Sequence, residues 1–201
     1  ATMTNIRAGQ TDEATCSTGE WLFVDVGFSS KSRSCALLSG EGEPIELTFS
    51  QTKAHLVELA AASTRPLNIV LEAPLSVAFA QTGNPVGRSV ELRDGKSRYW
   101  YVGLGCSVLV AATYLVRAIS DAQRTREIRL FEGLVSFKPK GLASKHSKDV
   151  LLLRDIVWNI PGVGRVVPPD ELAISSDHTL RSAFAVSGMD YGVPPVIAVG
   201  G

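Results

Sequence analysis

The 201-residue sequence predicts a single α/β domain in which helices flank a mixed five-stranded sheet. Three observations lead to this prediction. Short apolar segments separated by turn residues follow one another between residues 21 and 50, as in an antiparallel meander. Helical and strand-like segments then alternate, which is typical of parallel strands joined by helices. Finally, hydrophobic residues make up 45% and charged residues 20% at a net charge of +0, the composition of a globular protein.

The predicted meander comes first along the chain. "WLFVDVGF" (21–28) is an apolar strand with one acid in its middle, and "RSCALLS" (33–39) is the second strand. "PIELTFS" (44–50) alternates between apolar and polar residues, as a strand with one buried face does. The intervening "SSKS" and "GEGE" are typical turn sequences.

Helices and strands alternate after the meander. The later elements are a helix at 51–63, a strand at 67–72, a helix at 106–119, a strand at 127–132, and helices at 146–158 and 177–188. This order of elements is the ribonuclease H-like (RNase H-like) arrangement, which sets the first and fourth strands side by side and parallel. Residues 1–20 are small and polar and are predicted to be a flexible tail, so that residues 21–201 form the domain.

Composition and spacing argue against several function classes. The three cysteines are far apart, so neither a zinc pattern nor a disulfide framework follows, and a cytoplasmic location is favoured. The longest apolar run, near residues 108–116, is too short to span a membrane. Balanced charge argues against binding polyanions over the whole surface.

Two acids occupy the strands that this arrangement brings together. Asp25 interrupts the first apolar strand, and Glu72 ends the fourth. Adjacent carboxylates repel unless a cation lies between them, and Mg²⁺ or Mn²⁺ prefers such oxygen ligands. The alternative for either acid is an ion pair with an arginine or a cap on a neighbouring turn. The pair together favours a metal site.

A third acid is expected from a late helix, and two helices qualify. His146 and Asp149 begin the apolar stripe of the helix at 146–158. Asp177 begins a similar stripe in the helix at 177–188. Either aspartate is equally well explained as a first-turn acid favoured by the helix dipole.

Four segments carry a resemblance to a known family. "FVDVGFSS", "IVLEAPLS", "RLFEGLVSFKP" and "SSDHTLRSAFAV" resemble an RNase H-like family classified as a domain of unknown function, distantly similar to RuvC-type resolvases. The resemblance implies that Asp25, Glu72 and Glu132 are site acids and that Asp177 is the first acid of a paired motif. Arg181 and Ser182 stand where the second acid is expected.

The RuvC-type pattern offers a second alignment with this chain. It implies a site formed by Asp25, Glu72, His146 and Asp149, in which His-x-x-Asp replaces the paired motif on the closing helix. The sequence does not choose between the two alignments.

Clusters of cations near aromatic residues favour a nucleic-acid partner. The expected contact residues are Arg88, Arg93, Lys96, Arg98, Trp100, Lys138, Lys140 and Lys145. Arg126 and Arg129 belong to the same basic stretch. A solvated basic face and a packed aromatic strand are the alternatives. No membrane partner is expected, and a homodimer is compatible with the sequence.

These features together predict a metal-dependent nuclease that hydrolyses phosphodiester bonds with Mg²⁺ or Mn²⁺. Asp25, Glu72, Glu132, Asp149 and Asp177 are the candidate ligands, and His146 is a ligand or proton carrier. The alternative is a non-catalytic RNase H-like binding protein with an incomplete acidic site. An actin-like ATPase or sugar kinase is disfavoured, because one domain lacks the second half that encloses ATP.

Overall fold

The computed structural model describes residues 5–28, 30, 33–93, 96–97, 104–122, 126–135, 145–160 and 162–199. Its strands are β1 (Ile6–Ala8), β2 (Glu20–Asp25), β3 (Cys35–Ser39), β4 (Ile45–Leu47), β5 (Leu67–Glu72), β6 (Ser76–Phe79), β7 (Pro85–Val86), β8 (Leu92–Arg93), β9 (Lys96–Ser97), β10 (Ile128–Leu134), β11 (Gly164–Val167), β12 (Thr179–Ser182) and β13 (Val196–Val199). Its helices are α1 (Phe49–Ala61), α2 (Leu104–Asp121) and α3 (His146–Trp158). Among these helices, none is both long and apolar enough to cross a membrane.

The main sheet is mixed and larger than predicted. Its strand order is β11-β13-β10-β5-β2-β3-β4, and β1 pairs with β10 as an eighth strand. Strands β2, β5, β10 and β13 are parallel, whereas β3 and β11 run antiparallel to their neighbours. All five predicted strands are present, and β2 lies beside β5 as expected. The prediction of five strands missed β1, β11 and β13, because these short segments lie among polar, glycine or proline residues that favour loops.

The two faces of the sheet bury different cores. Side chains alternate along each strand, so Leu22 and Leu71 pack beneath α1 and α2. Phe23 and Val70 point to the other face and pack against α3. The position of a residue in the strand register therefore determines whether its side chain faces α1 and α2 or faces α3.

The N-terminal segment differs from the expected flexible tail. Strand β1 pairs in parallel with the first half of β10, from Ile6 beside Ile128 onward. The Arg7 guanidinium donates hydrogen bonds to Glu13 and Glu127, each at 2.9 Å. A strand of three residues has too little periodicity to stand out in the sequence, and its partner lies about 120 residues away.

The segment predicted as a helix at 177–188 is not an α-helix. Residues Thr179–Ser182 form β12, which pairs antiparallel with β6, and residues Ala183–Ser187 form a 3-10 turn. Gly188 ends this turn at a φ of 74° in the left-handed region, which glycine adopts without strain. Pairing with the distant β6 overrides the helical spacing of the apolar residues.

Candidate metal centre

Two carboxylates lie side by side at the carboxyl ends of β2 and β5. Asp25 ends β2 and is the register partner of Glu72, which ends β5. Register partners on adjacent strands point to the same face, here the face covered by α3. Asp25 is 3% exposed and Glu72 is half-buried. Gly27 is required beside them, because a Cβ there would lie 1.7 Å from the carbonyl oxygen of Ser34.

Helix α3 brings a third carboxylate to the same place. Asp149 lies in its first turn, is 5% exposed, and begins the buried stripe that continues to Val157. Gly133 of β10 allows the helix to approach the sheet closely, because a Cβ there would lie 2.9 Å from a methyl group of Leu153. Carboxylate oxygens of Asp25, Glu72 and Asp149 all lie within 4.8 Å of one another. We call these three residues the acidic triad.

His146 joins the triad from the first residue of α3. Its Nδ1 lies 2.9 Å from Oδ2 of Asp25, and the carboxylate accepts the Nδ1–H when that nitrogen is protonated. This hydrogen bond raises the pKa of His146 despite partial burial, and the negative charges of Asp25 and Asp149 raise it further. The side chain is 42% exposed, so the imidazole links the buried carboxylate to solvent.

The acidic triad has the chemistry of a cation site. Three carboxylates at this separation repel one another, and a divalent cation converts that repulsion into attraction. Hard cations such as Mg²⁺ and Mn²⁺ take oxygen ligands, and every member of the triad offers them. The triad could therefore hold a metal ion.

Glu132, expected among the metal ligands, lies on the opposite face of the sheet. Its register partner on β5 is Leu71, which packs beneath α1 and α2, whereas Glu72 is one residue further along and points the other way. Glu132 is fully buried and accepts hydrogen bonds from the Arg88 guanidinium at 2.7 and 2.8 Å. The alternation of side chains in β10 thus separates it from the triad.

Asp177, the other candidate for the closing acid, is exposed in the turn before β12. It accepts a hydrogen bond from Ser175, which lowers the pKa of its carboxyl group. It is not one of the carboxylates that converge on Asp25. Since the segment is not an α-helix, it cannot close the site as the first alignment implied.

The residues expected to contact nucleic acid do not lie together on one described surface. Arg88 is fully buried in its ion pair with Glu132 and forms no part of the surface. Lys145 is exposed immediately before His146, at the edge of the acidic triad. For Arg93 and Lys96 the structure describes the backbone but not the side chains. The remaining expected contacts lie outside the described residues: Arg98, Trp100, Lys138 and Lys140.

Two arginines of the predicted basic stretch have structural roles at the amino end of β10. Arg126 is 4% exposed and donates to the carbonyl oxygen of Leu59 at 2.7 Å as well as to the carboxylate of Glu20. Arg129 pairs with Glu127 at 2.9 Å. Their charges are compensated internally, and they lie at the opposite end of the strands from the triad.

An exposed aromatic residue beyond the carboxyl end of β2 was missed in the sequence. Phe28 follows Asp25 by three residues, is 51% exposed, and forms a T-shaped contact with Phe49 of α1, with ring centroids 5.4 Å apart. Its position just beyond the carboxyl end of a strand that carries a site acid was the available indication. An exposed ring at this edge offers a surface on which a base can stack.

A separate cavity of about 260 Å³ lies between the β6–β12 ribbon and α2. Its lining is formed by Val77, Phe79, Leu109, Arg181, Ser182, Ala183, Ala185 and Val186. None of these residues is acidic, so the cavity offers no carboxylate for a cation. The described residues therefore give the acidic triad as the candidate for metal chemistry.

Comparisons with protein-family models, with curated proteins and with solved structures give no match to this chain. The functional argument therefore depends on the geometry of the site.

Proposed function

We propose that this protein is a metal-dependent nuclease with an RNase H-like fold, which hydrolyses phosphodiester bonds with Mg²⁺ or Mn²⁺. The observation that carries the proposal is the convergence of Asp25, Glu72 and Asp149 at the ends of two adjacent parallel strands beneath α3. Buried carboxylates gathered around one point are costly for a fold, so their presence favours a role in binding a cation.

The element order supports the RNase H-like part of the proposal. An antiparallel meander of β2, β3 and β4 is followed by α1 and β5 and, after β6–β9, by α2, β10 and α3. Strands β4-β3-β2-β5-β10 are consecutive neighbours in the main sheet, counted from its β4 edge. His146 and Asp149 on α3 fit the His-x-x-Asp of the RuvC-type pattern, so the site does not depend on Arg181 or Ser182.

The proposed chemistry assigns a separate role to each side chain. A divalent cation would supply the Lewis acidity that activates water and neutralises charge on the leaving oxygen. Asp25, Glu72 and Asp149 would hold that cation through their carboxylate oxygens. His146, when protonated at Nδ1, would donate to the Asp25 carboxylate and fix its orientation. Its exposed ring can pass a proton to solvent at Nε2, since Nδ1 is engaged by Asp25.

Two features support a nucleic-acid substrate. Lys145 provides an exposed positive charge next to the triad, where it can contact a phosphate. Phe28 provides an exposed ring beyond the carboxyl end of β2, where it packs against Phe49 of α1. An exposed cation and an exposed ring near the carboxyl ends of the strands that carry the acids favour binding of a single-stranded or distorted segment.

The test is cleavage of labelled single-stranded, duplex and branched oligonucleotides in the presence of Mn²⁺ or Mg²⁺, with EDTA as the blank. Asp25→Asn should abolish metal-stimulated cleavage, a loss greater than the roughly 10–100-fold that removal of an outer-shell partner costs. Asp177→Asn makes the same substitution at an exposed turn and should cleave as the wild-type chain does. Equal cleavage by the wild-type chain and Asp25→Asn would refute the proposal.

The alternative, a non-catalytic binding protein of the same fold, gives a different result in the same experiment. It binds oligonucleotides in the presence of Ca²⁺, yet cleaves none of them with Mn²⁺ or Mg²⁺. Absence of both binding and cleavage would direct attention to a smaller phosphate ester.

A further inference from the structure

A second buried cluster of charges lies on the face of the sheet opposite the acidic triad. It consists of Arg88, Glu91 and Glu132, each with no exposed surface, and we call it the rear cluster. The Arg88 guanidinium binds both carboxylate oxygens of Glu132, at 2.7 and 2.8 Å, and lies 3.3 Å from Glu91. Burial raises the pKa of Glu91, because the carboxyl group is removed from water at this site.

The rear cluster is bonded to the turn that follows Glu72. Oε2 of Glu132 accepts the backbone N–H of Leu75 at 2.8 Å, and Arg88 donates to Oγ of Ser76 at 2.7 Å. The turn between Glu72 and Leu75 contains Pro74, which has no N–H to donate. The first backbone N–H after the proline is that of Leu75, and Glu132 accepts its hydrogen bond.

These bonds cannot be exchanged for bonds to water, because both partners are buried. Leu75 and Glu132 have no exposed surface. A buried N–H that loses its acceptor is left without any hydrogen bond, which is unfavourable, so the turn is strongly held in this position. The Leu75 carbonyl oxygen is also engaged, as the acceptor of the Ala183 N–H at 2.9 Å.

We propose that Glu132, held by Arg88, positions Glu72 for cation binding by fixing the turn at the Leu75 N–H. This inference rests on the proposed function, in which Glu72 is a metal ligand. Strand β5 fixes the chain before Glu72, and the Glu132–Leu75 bond fixes it three residues later. Metal ligands must be held to within about 0.5 Å by the residues that support them, and two fixed ends provide this. Glu132 is a positioning residue, since it points away from the triad.

Two matched double variants isolate the bond to Leu75. Arg88→Met with Glu132→Gln removes the ion pair but keeps an oxygen that accepts the Leu75 N–H. Arg88→Met with Glu132→Met removes the ion pair and the acceptor together, at similar side-chain volume. The measurement is Mn²⁺ affinity, from the signal of free Mn²⁺ in electron paramagnetic resonance, with unfolding by urea as the measure of stability.

We expect the Gln-containing variant to bind Mn²⁺ as tightly as the wild-type chain to within about threefold, and the Met-containing variant to bind about tenfold more weakly. Equal Mn²⁺ affinities of the two variants would overturn the inference. If the wild-type chain itself binds no Mn²⁺, the proposed function fails, which is a different outcome from equal binding by wild type and variants.

A measurement on the wild-type chain covers the case in which a variant does not fold. Amide hydrogen exchange at Leu75 should be slow in the metal-free protein, and its protection should not depend on Mn²⁺, because Glu132 holds it in both states. Exchange at the rate of an exposed turn would show that the bond does not hold the turn, and would overturn the inference without any substitution.

Discussion

Replacing Asp149 with asparagine should give a variant that melts above the wild-type chain without metal and below it with saturating metal. The substitution removes one negative charge from the acidic triad and keeps the shape of the side chain. If the triad evolved to hold a cation, the metal-free wild-type chain carries a repulsion that the variant lacks. Loss of function with a gain in stability is the expected pattern at such a site.

The magnitude follows from the separation of the carboxylates. Two full charges at 4.8 Å, the upper limit of the separation between the converging oxygens, repel by about 3.5 kcal/mol at an effective dielectric constant of about 20. Solvent access at Glu72 and the bond from His146 to Asp25 reduce this value. The substitution also removes the favourable interaction of the Asp149 charge with the helix N terminus, worth about 0.3–1 kcal/mol. A net gain of about 1–2 kcal/mol in the metal-free protein corresponds to a rise of about 2–8 °C for a domain of this size.

Metal should act in the opposite direction. At a Mn²⁺ concentration of about 100 times Kd, binding stabilises the wild-type chain by about 2.7 kcal/mol. This raises its melting temperature by about 5–10 °C, whereas Asp149→Asn should gain little. The wild-type chain should thus melt below the variant in EDTA and above it in saturating Mn²⁺.

Thermal unfolding by differential scanning fluorimetry, in EDTA and across a Mn²⁺ titration, tests this reversal. Asp177→Asn is the control, because it makes the same charge change in an exposed turn and should follow the wild-type curve throughout. If Asp149→Asn melts lower in EDTA and gains as much from Mn²⁺ as the wild type, Asp149 is a structural first-turn acid and the metal-site argument fails.

Three further predictions address other parts of the chain. The pKa of Glu13 is lowered by its hydrogen bond from Arg7, so its contribution to stability is present above the ordinary pKa of 4.5 and is lost as the pH falls through the lower, folded value. Glu13→Gln should therefore reduce the free energy of unfolding by about 1 kcal/mol at pH 7, and urea titrations at pH 3 should show a smaller difference. Phe28→Ala should weaken single-stranded oligonucleotide binding by about 1–3 kcal/mol in anisotropy titrations with Ca²⁺, and leave the Mn²⁺-dependent melting shift unchanged; unchanged binding would exclude stacking on this ring. Lys145→Ala should reduce the slope of log affinity against log salt by about 1, whereas Arg165→Ala on β11 should leave it unchanged, and equal slopes for both would remove Lys145 from the interface.

The central elements were predictable because their patterns are local. The segments that became β5 and α3 have the predicted bounds, and the stripe from Asp149 to Val157 is the buried face of α3. The approach of Asp25 and Glu72 followed from one statement about strand order, that the first and fourth strands are neighbours.

The features that the sequence did not determine depend on contacts between distant segments. Two late segments had equivalent stripes headed by an aspartate, and the choice between them depended on the pairing of β12 with β6, about 100 residues away. The face occupied by Glu132 depended on its register with Leu71, which the pattern of β10 alone cannot give. The burial of Arg88 likewise depends on where the chain between β7 and β8 meets β10.

The two clusters of acids differ in access, and this difference explains why the cation is assigned to the acidic triad. In the rear cluster both oxygens of Glu132 are bound by one guanidinium in a sealed interior, so the charge is neutralised within the protein and a cation has no entry path. In the acidic triad Glu72 is half-buried and His146 is 42% exposed, so solvent reaches the carboxylates from the edge of the sheet. Alternation along β5 and β10 sends one set of acids to each face, and a single turn at Leu75 connects them. The closed cluster can then fix the geometry of the open one without competing for its ligand.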